Sequence, residues 1–290
     1  MNWNIVKGAC LALLPVAGTL KAQEKPNIVV ILADDLASNE ISCYGGKNLK
    51  TPNIDRIAEE GIRFTNNFAS CAMSVPIRAS LYTGLYPARH GSYQNHKISY
   101  SDIKSVTYYL PQAGYRVGRA GKTHTVPKSV FNFEKVPGFE ENCIAVTADY
   151  TVDGIRDFMR QDSPFCLFVC STLSHAPWTC GNKDEFDADK VILPPNCVDN
   201  KGTRELFRRL LAEIRALDNQ VGDVLKTIEE VGKLDNTLVV FLGEQGPQLP
   251  GGKWTCWNYG QSSALVARYP AKRPNRPVML SFSMKIFYLL

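Results

Sequence analysis

The sequence predicts an α/β domain with a mostly parallel central sheet sandwiched by helices. Three observations carry this expectation. Short apolar, β-branched runs recur at 27–33, 115–120, 165–173 and 237–242. Segments with apolar residues at helical spacing lie between them. No internal repeat or low-complexity linker breaks the alternation. A strand covered on both faces needs apolar residues at successive positions, and alternating strands and helices build a parallel sheet.

The first run, NIVVILA, is nearly continuous in β-branched residues and reads as a central strand. Thr51 and Pro52 then open a helix, Thr51 as its N-cap and Pro52 in its first turn. Ile54, Ile57 and Ala58 give that helix one apolar face, and Gly61 ends it. Pro76 suits another first turn, so Ser74 sits at or just before a helix N-terminus, with Arg78 one turn further on. Residues 105–113 read as a helix stopped by Gly114, and 115–120 as a short strand. Residues 152–160 read as a helix and 165–173 as an apolar strand, with Cys166 and Cys170 in the core. Residues 203–231 form a long amphipathic helix with Leu206, Leu210, Ile214, Leu217, Val221, Leu225 and Ile228 along one stripe. TLVVFL at 237–242 is the last buried strand.

Composition bounds the class. The chain has 290 residues, with 44% hydrophobic and 21% charged, as in a globular enzyme of one or two domains. The net charge of +5 is spread without a Lys/Arg run, which argues against a nucleic-acid partner. Lys7, an apolar stretch over 8–20, and Lys21-Ala22 read as a signal peptide over 1–22, cleaved after Ala22. The stretch is too short to span a bilayer, so the expectation is export to the periplasm or the medium, with no stable membrane span. Nine cysteines contain no Cys-x-x-Cys, so no zinc ribbon is indicated, and any disulfide pairing stays open.

Ligands of open α/β sheets bind beyond the carboxyl ends of the strands. The residues found there are polar. Asp34-Asp35 follows the first strand, Lys122 and His124 follow the second, His175 the third, and Glu244-Gln245 the fourth, with Lys253 soon after. Adjacent carboxylates fit a hard divalent cation, and equally a solvated loop or a helix cap. A lone His or Lys is unremarkable; convergence of four strand ends is what raises these residues to a candidate site. Ser74 at a helix start is where backbone N–H groups favour an anion, although a plain cap serves as well.

Ser74-Val75-Pro76-Ile77-Arg78, with Thr83-Gly84, resembles the signature of the sulfatase family: Cys or Ser, any residue, Pro, any residue, Arg, then Thr-Gly. Lys25 to Asp35, Thr51 to Asp55, Gly121-Lys122-Thr123-His124, His175 to Trp178 and Gly252 to Thr255 resemble further family motifs in the expected order. The resemblance runs over 25–270 and implies the alkaline-phosphatase-like form of this α/β fold. It implies a sulfuric ester or sulfamate hydrolase in which Ser74 is oxidised to formylglycine (3-oxoalanine) by a formylglycine-generating maturation enzyme. Ser in place of Cys resembles the bacterial form matured anaerobically. The implied Ca²⁺ ligands are Asp34, Asp35, Glu244 and Gln245 with the modified Ser74. Arg78 and Lys122 would orient the aldehyde hydrate, and His124, His175 and Lys253 would bind sulfate or handle the leaving-group proton. A sulfated saccharide is the implied substrate. A hydrated aldehyde offers two hydroxyls on one carbon: one attacks sulfur, and the second expels the sulfate.

Two departures stand out. Glu244-Gln245 occupies the place where the family usually has Asp followed by Asn or His, one methylene shorter. Arg268-Tyr269-Pro270 resembles the family's Arg-Trp-Pro, after which a smaller antiparallel domain normally follows; here 271–290 match no family motif, as a truncated or frameshifted reading would produce. Two alternatives accompany the main reading: a sulfatase remnant without turnover, and a two-zinc phosphohydrolase of the same superfamily, which would need more Asp/His ligands than these strand ends supply.

Overall fold

The computed structural model describes residues 25–269 and the backbone of 281–283. The expected signal peptide and most of the 271–290 tail lie outside the described residues. The strands are β1 (Asn27–Ala33), β2 (Ile62–Arg63), β3 (Asn66–Phe68), β4 (Arg116–Gly121), β5 (Glu134–Val136), β6 (Phe165–Cys170), β7 (Thr237–Gly243), β8 (Leu265–Arg268) and β9 (Ser281–Ser283). The α-helices are α1 (Pro52–Glu59), α2 (Ser74–Thr83), α3 (Pro87–His90), α4 (Val106–Gln112), α5 (Asp153–Arg160), α6 (Lys201–Glu230) and α7 (Asn258–Gln261).

Seven strands form one sheet in the order β2-β8-β7-β1-β6-β4-β5. From β7 to β5 every pairing is parallel, while β8 runs antiparallel to β7 and to β2. The expected mostly parallel sheet is therefore present, with a short antiparallel edge. Strand β1 lies at its centre, and its alternate residues serve two cores. Val29, Ile31 and Ala33 join a cluster with Ile54, Ile155, Phe158 and the buried stripe of α6. Ile28, Val30 and Leu32 join Ile77, Leu81, Tyr82 and Val106 on the opposite face. This period of two is what a strand imposes, and covering both faces explains the unbroken apolar run.

Local details differ from expectation in instructive ways. The strand expected over 165–173 stops at Cys170, because the chain after Ser171 turns out of the sheet into a loop. On α6, Leu206 is 47% exposed and Phe207 is buried in its place, so the apolar stripe begins one residue later. Thr51 does occupy the cap position of α1, yet its hydroxyl makes no capping bond. It bonds Asp55 instead, at 3.1 Å. The capping acceptor comes from α6: Asp218 accepts from the backbone N–H of Asn53 (3.1 Å) and Ile54 (2.9 Å) and from Asn53 Nδ2 (2.9 Å). An acidic side chain satisfies the orphan donors of a helix start and favours its positive end.

Gly121 ends β4 at φ +78°, and a Cβ there would lie 2.1 Å from the carbonyl oxygen of Cys170. Only glycine permits this left-handed exit. The next residue keeps the sheet in register, since Lys122 N donates to Cys170 O at 2.9 Å.

The tie between α1 and α6 makes a prediction. Asp218→Ala leaves two backbone donors unmatched, the one on Ile54 buried, and should cost about 1–3 kcal/mol. The urea midpoint should fall with an unchanged denaturant slope, and Asp218→Asn should recover part of the loss; an unaltered midpoint in the Ala variant would show that water replaces the carboxylate.

Candidate active site

The strands whose carboxyl ends carry polar residues are neighbours in the order β7, β1, β6, β4. Backbone bonds continue past the strands: Glu244 N donates to Ala33 O (3.1 Å), and Ser171 N to Leu32 O (2.9 Å). These bonds fix the spacing of the residues that follow. Asp34, Asp35, Ser74, Arg78, Lys122, Glu244, Gln245 and Lys253 are all buried. Helix α2 brings Ser74 to the rim. Every residue from Ser74 to Tyr82 is buried, so this helix has no solvent face, and its first turn is held by Asn95 Oδ1 accepting from Val75 N at 3.0 Å.

At the centre, Ser74 Oγ donates to Glu244 Oε2 at 2.7 Å and lies 3.3 Å from Asp34 Oδ1. Arg78 pairs with Glu244 through Nε, lies 3.8 Å from Asp34, and donates to Lys122 O at 3.3 Å. Lys122 pairs with Asp34. Lys253 Nζ donates to Asp35 Oδ2 at 2.6 Å and lies 3.0 Å from His175 Nε2. Gln245 Nε2 donates to Asp35 Oδ1, leaving Gln245 Oε1 buried without a partner. His175 lies 3.6 Å from Asp35, with 12% of its side chain exposed. His124 sits further out, in a left-handed conformation (φ +43°), its ring 5.6 Å from that of His96 and its Nδ1 unpartnered.

Three carboxylates and three cationic side chains thus share one dry space. Burial opposes ionisation of Asp34, but Lys122 and then Arg78 overcome it and hold the pKa well below the usual carboxylate range. Burial and the Asp34 charge raise Asp35, with Lys253 opposing. Burial pushes Glu244 up to about 8, helped by Asp34 and opposed by Arg78. Burial lowers His124 to about 3, and Lys122 adds to the effect, so its imidazole is neutral near pH 7. His175 is raised: burial opposes, and hydrogen bonding to Cys143 and the two aspartates outweigh it.

Oxygens of Asp34, Asp35 and Glu244 lie within 4.8 Å of one another. Crowded hard carboxylate donors, two with raised pKa values, are what a hard divalent cation would relieve. The orphaned Gln245 Oε1 beside them adds a further oxygen, although the amide here turns Nε2 toward Asp35. The donor set therefore fits Ca²⁺.

Several supporting residues went unread in the sequence. Glu213, buried on α6, accepts from Ser174 N (3.0 Å), Thr179 N (2.8 Å) and Cys180 N (3.1 Å), and so holds the loop that carries His175. Burial pushes its pKa up to about 7 against these three donors. Ser174, at φ +70°, donates its hydroxyl to Asp34 O at 2.8 Å. Cys143 lies with His175 and Asp34 in a second cluster whose ligand atoms are within 4.8 Å of one another. A signal for Glu213 existed, since it falls on the same helical stripe as Leu210 and Leu217. None marked Cys143, which lies in a loop. The eight cysteines among the described residues are free.

The family model described as Sulfatase matches residues 26–281. An ulvan-active sulfatase of Formosa agariphila is 34% identical over 257 residues, covering 85% of this chain and 49% of that protein. Human N-sulphoglucosamine sulphohydrolase is 28% identical over 305 residues, covering 92% of this chain and 59% of its own. The chain therefore spans about half of the one relative and under two thirds of the other. A structure solved with its substrate D-glucosamine-2-N,6-O-disulfate superimposes with a TM-score of 0.76 at 22% identity, covering 91% of this chain and 75% of the other. The phosphonate monoester hydrolase of Agrobacterium radiobacter superimposes equally, with a TM-score of 0.76 at 20% identity, covering 90% and 72%. Both likenesses are of fold. With a family match over most of its length and a strand-end cluster built around the Ser-x-Pro-x-Arg helix start, this chain belongs to the sulfatase family.

Proposed function

We propose that the chain carries the catalytic centre of a sulfuric ester or sulfamate hydrolase that releases sulfate from sulfated saccharides, with Ser74 oxidised to formylglycine beside one Ca²⁺. The observation that supports this most is the surroundings of Ser74. Its Oγ is buried, 2.7 Å from Glu244 and 3.3 Å from Asp34, at a helix start whose Arg78 faces the same carboxylates. A serine that only caps a helix accepts one backbone N–H and needs no such charge beside it. The relatives support the substrate class, since two act by name on ulvan and on N-sulphoglucosamine.

Asp34, Asp35, Glu244 and Gln245 would hold the ion. When present, Ca²⁺ supplies positive charge that favours an ionised hydroxyl, and hydrated formylglycine supplies two hydroxyls where serine has one. The remaining work falls to the chain's own side chains. Arg78 and Lys122 bring two of the three cationic charges to the transferring group, and their burial keeps water from screening them. Lys253 sits between Asp35 and His175, where its ammonium can meet a sulfuryl oxygen. His175 is the proton carrier for the leaving oxygen or nitrogen: its pKa is raised, its Nε2 borders the site, and its edge reaches solvent. His124, kept neutral by burial and Lys122, serves as a hydrogen-bonding partner of sulfate and not as an acid. On this reading the partners are a sulfated saccharide and a formylglycine-generating maturation enzyme, and the chain is exported to the periplasm or the medium.

Mass spectrometry tests the reading at its centre. From a host with a competent maturation system, the Ser74 peptide should lack two hydrogens, or carry that aldehyde as its hydrate. Sulfate release by protein whose Ser74 is wholly unmodified would contradict the mechanism. Arg78→Lys keeps a charge but loses the planar fork that reaches Glu244 and Asp34. Steady-state assays on a sulfated saccharide should show kcat down by about a hundred-fold, the scale for removing one preorganised charge-stabilising group. Wild-type turnover in a folded Arg78→Lys protein would remove Arg78 from the mechanism.

A further inference from the structure

The residue after Lys253 is a tryptophan with no evident duty to the fold. Among the described residues, Trp178 is buried, whereas Trp254 is 57% and Trp257 72% exposed; of the two exposed indoles, Trp254 is the one beside the charged centre. Trp254 also stands in left-handed backbone, at φ +68°. That conformation suits glycine and is uphill for a side chain bearing an indole. Single exposed apolar residues are ordinary; an exposed indole in a strained backbone is not, and such strain gathers at functional positions.

Its location gives the strain a use. Trp254 N donates to Ala72 O at 2.8 Å, which ties its backbone to the segment two residues before Ser74. The Lys253 ammonium lies 5.3 Å from the centre of its ring. The same ammonium is 2.6 Å from Asp35 and 3.0 Å from His175. One end of this short chain of contacts is the charged centre, and the other is an accessible aromatic surface. A sulfate held at Lys253 would have the ring that bears it one ester oxygen away, within reach of the indole.

We propose that Trp254 forms a saccharide-ring subsite: its indole stacks against the C–H face of the pyranose whose sulfate sits at Lys253. This rests on the sulfatase reading above and adds the recognition of a ring. The carbohydrate C–H bonds carry partial positive charge toward the negative face of the indole, and stacking removes apolar surface of both from water. The Lys253 ammonium is held by Asp35 at 2.6 Å, so its place beside the sulfate does not depend on the indole. A ring-less sulfate ester gains nothing from this surface.

The test compares full-length wild type with Trp254→Gly, which removes the indole and also relaxes the positive φ, and with Trp254→Phe, which keeps an aromatic face. Probes are a panel of monosulfated pyranosides, ethyl sulfate, and inorganic sulfate as a competing ion, with binding read by calorimetry or product inhibition. Trp254→Gly should weaken the best-bound pyranoside sulfate by about ten-fold, leave ethyl sulfate and inorganic sulfate within about two-fold, and melt no lower than wild type; Trp254→Phe should recover most of the loss. Equal losses for all three probes, no loss for any pyranoside, or a clear fall in melting temperature would overturn the subsite. So would wild type that binds inorganic sulfate yet binds no pyranoside sulfate more tightly than ethyl sulfate, and in that case the sulfatase reading survives. Wild type that binds neither inorganic sulfate nor any sulfate ester would remove that reading, and the subsite with it.

Discussion

The structure depends on how three carboxylates are kept together out of water. Asp34, Asp35 and Glu244 crowd within a few ångströms, and a buried cluster of this kind is strongly unfavourable unless positive charge answers it. Arg78, Lys122 and Lys253 supply that charge, each from a different segment: helix α2, the end of β4, and the loop after β7. The cluster therefore joins elements distant in sequence, and its geometry is set by the sheet beneath it. The ladder bonds that run one residue past the strands, from Glu244 to Ala33 and from Lys122 to Cys170, turn a parallel sheet into a rigid mount. Removal of one partner leaves the others uncompensated, so the site is coupled throughout.

Two acids of α6 hold segments that flank the site. Glu213 on α6 collects three backbone N–H groups of the loop that bears His175, and Asp218, about a turn later, collects two at the start of α1. Both are acids on the buried face of one long helix; Asp218 caps α1, and Glu213 satisfies loop donors that no local group meets. The helix thus organises the core and anchors two polar segments. Exposure rises outward from Ser74 through His175 to Trp254.

Much of this was legible in the sequence because it depends on period and position. The apolar runs at Asn27–Ala33 and Thr237–Gly243 are continuous since both faces of the sheet are covered, and that pattern alone announces buried parallel strands. Polar residues just past such strands converge by topology, which is why Asp34, Lys122, His175 and Glu244 could be gathered without coordinates. The departures have physical causes. Thr51 looked like a cap by local rules, but a tertiary carboxylate outcompeted it. The short strands β2 and β8 carry too few residues for a periodic signal, and Cys143 lies in a loop whose path only packing determines. Glu213 was visible as a charge on an apolar stripe, and such an exception on a buried face is itself a clue.

We propose that the crowded carboxylates hold a cation next to Ser74. Calorimetric titration of the purified full-length chain with Ca²⁺ tests it most directly. One ion should bind per chain, with binding abolished by Asp35→Asn and by Glu244→Gln while both variants remain folded. A folded wild-type protein that takes up no Ca²⁺ at millimolar concentration, with its lysines and arginine alone balancing the acids, would contradict it.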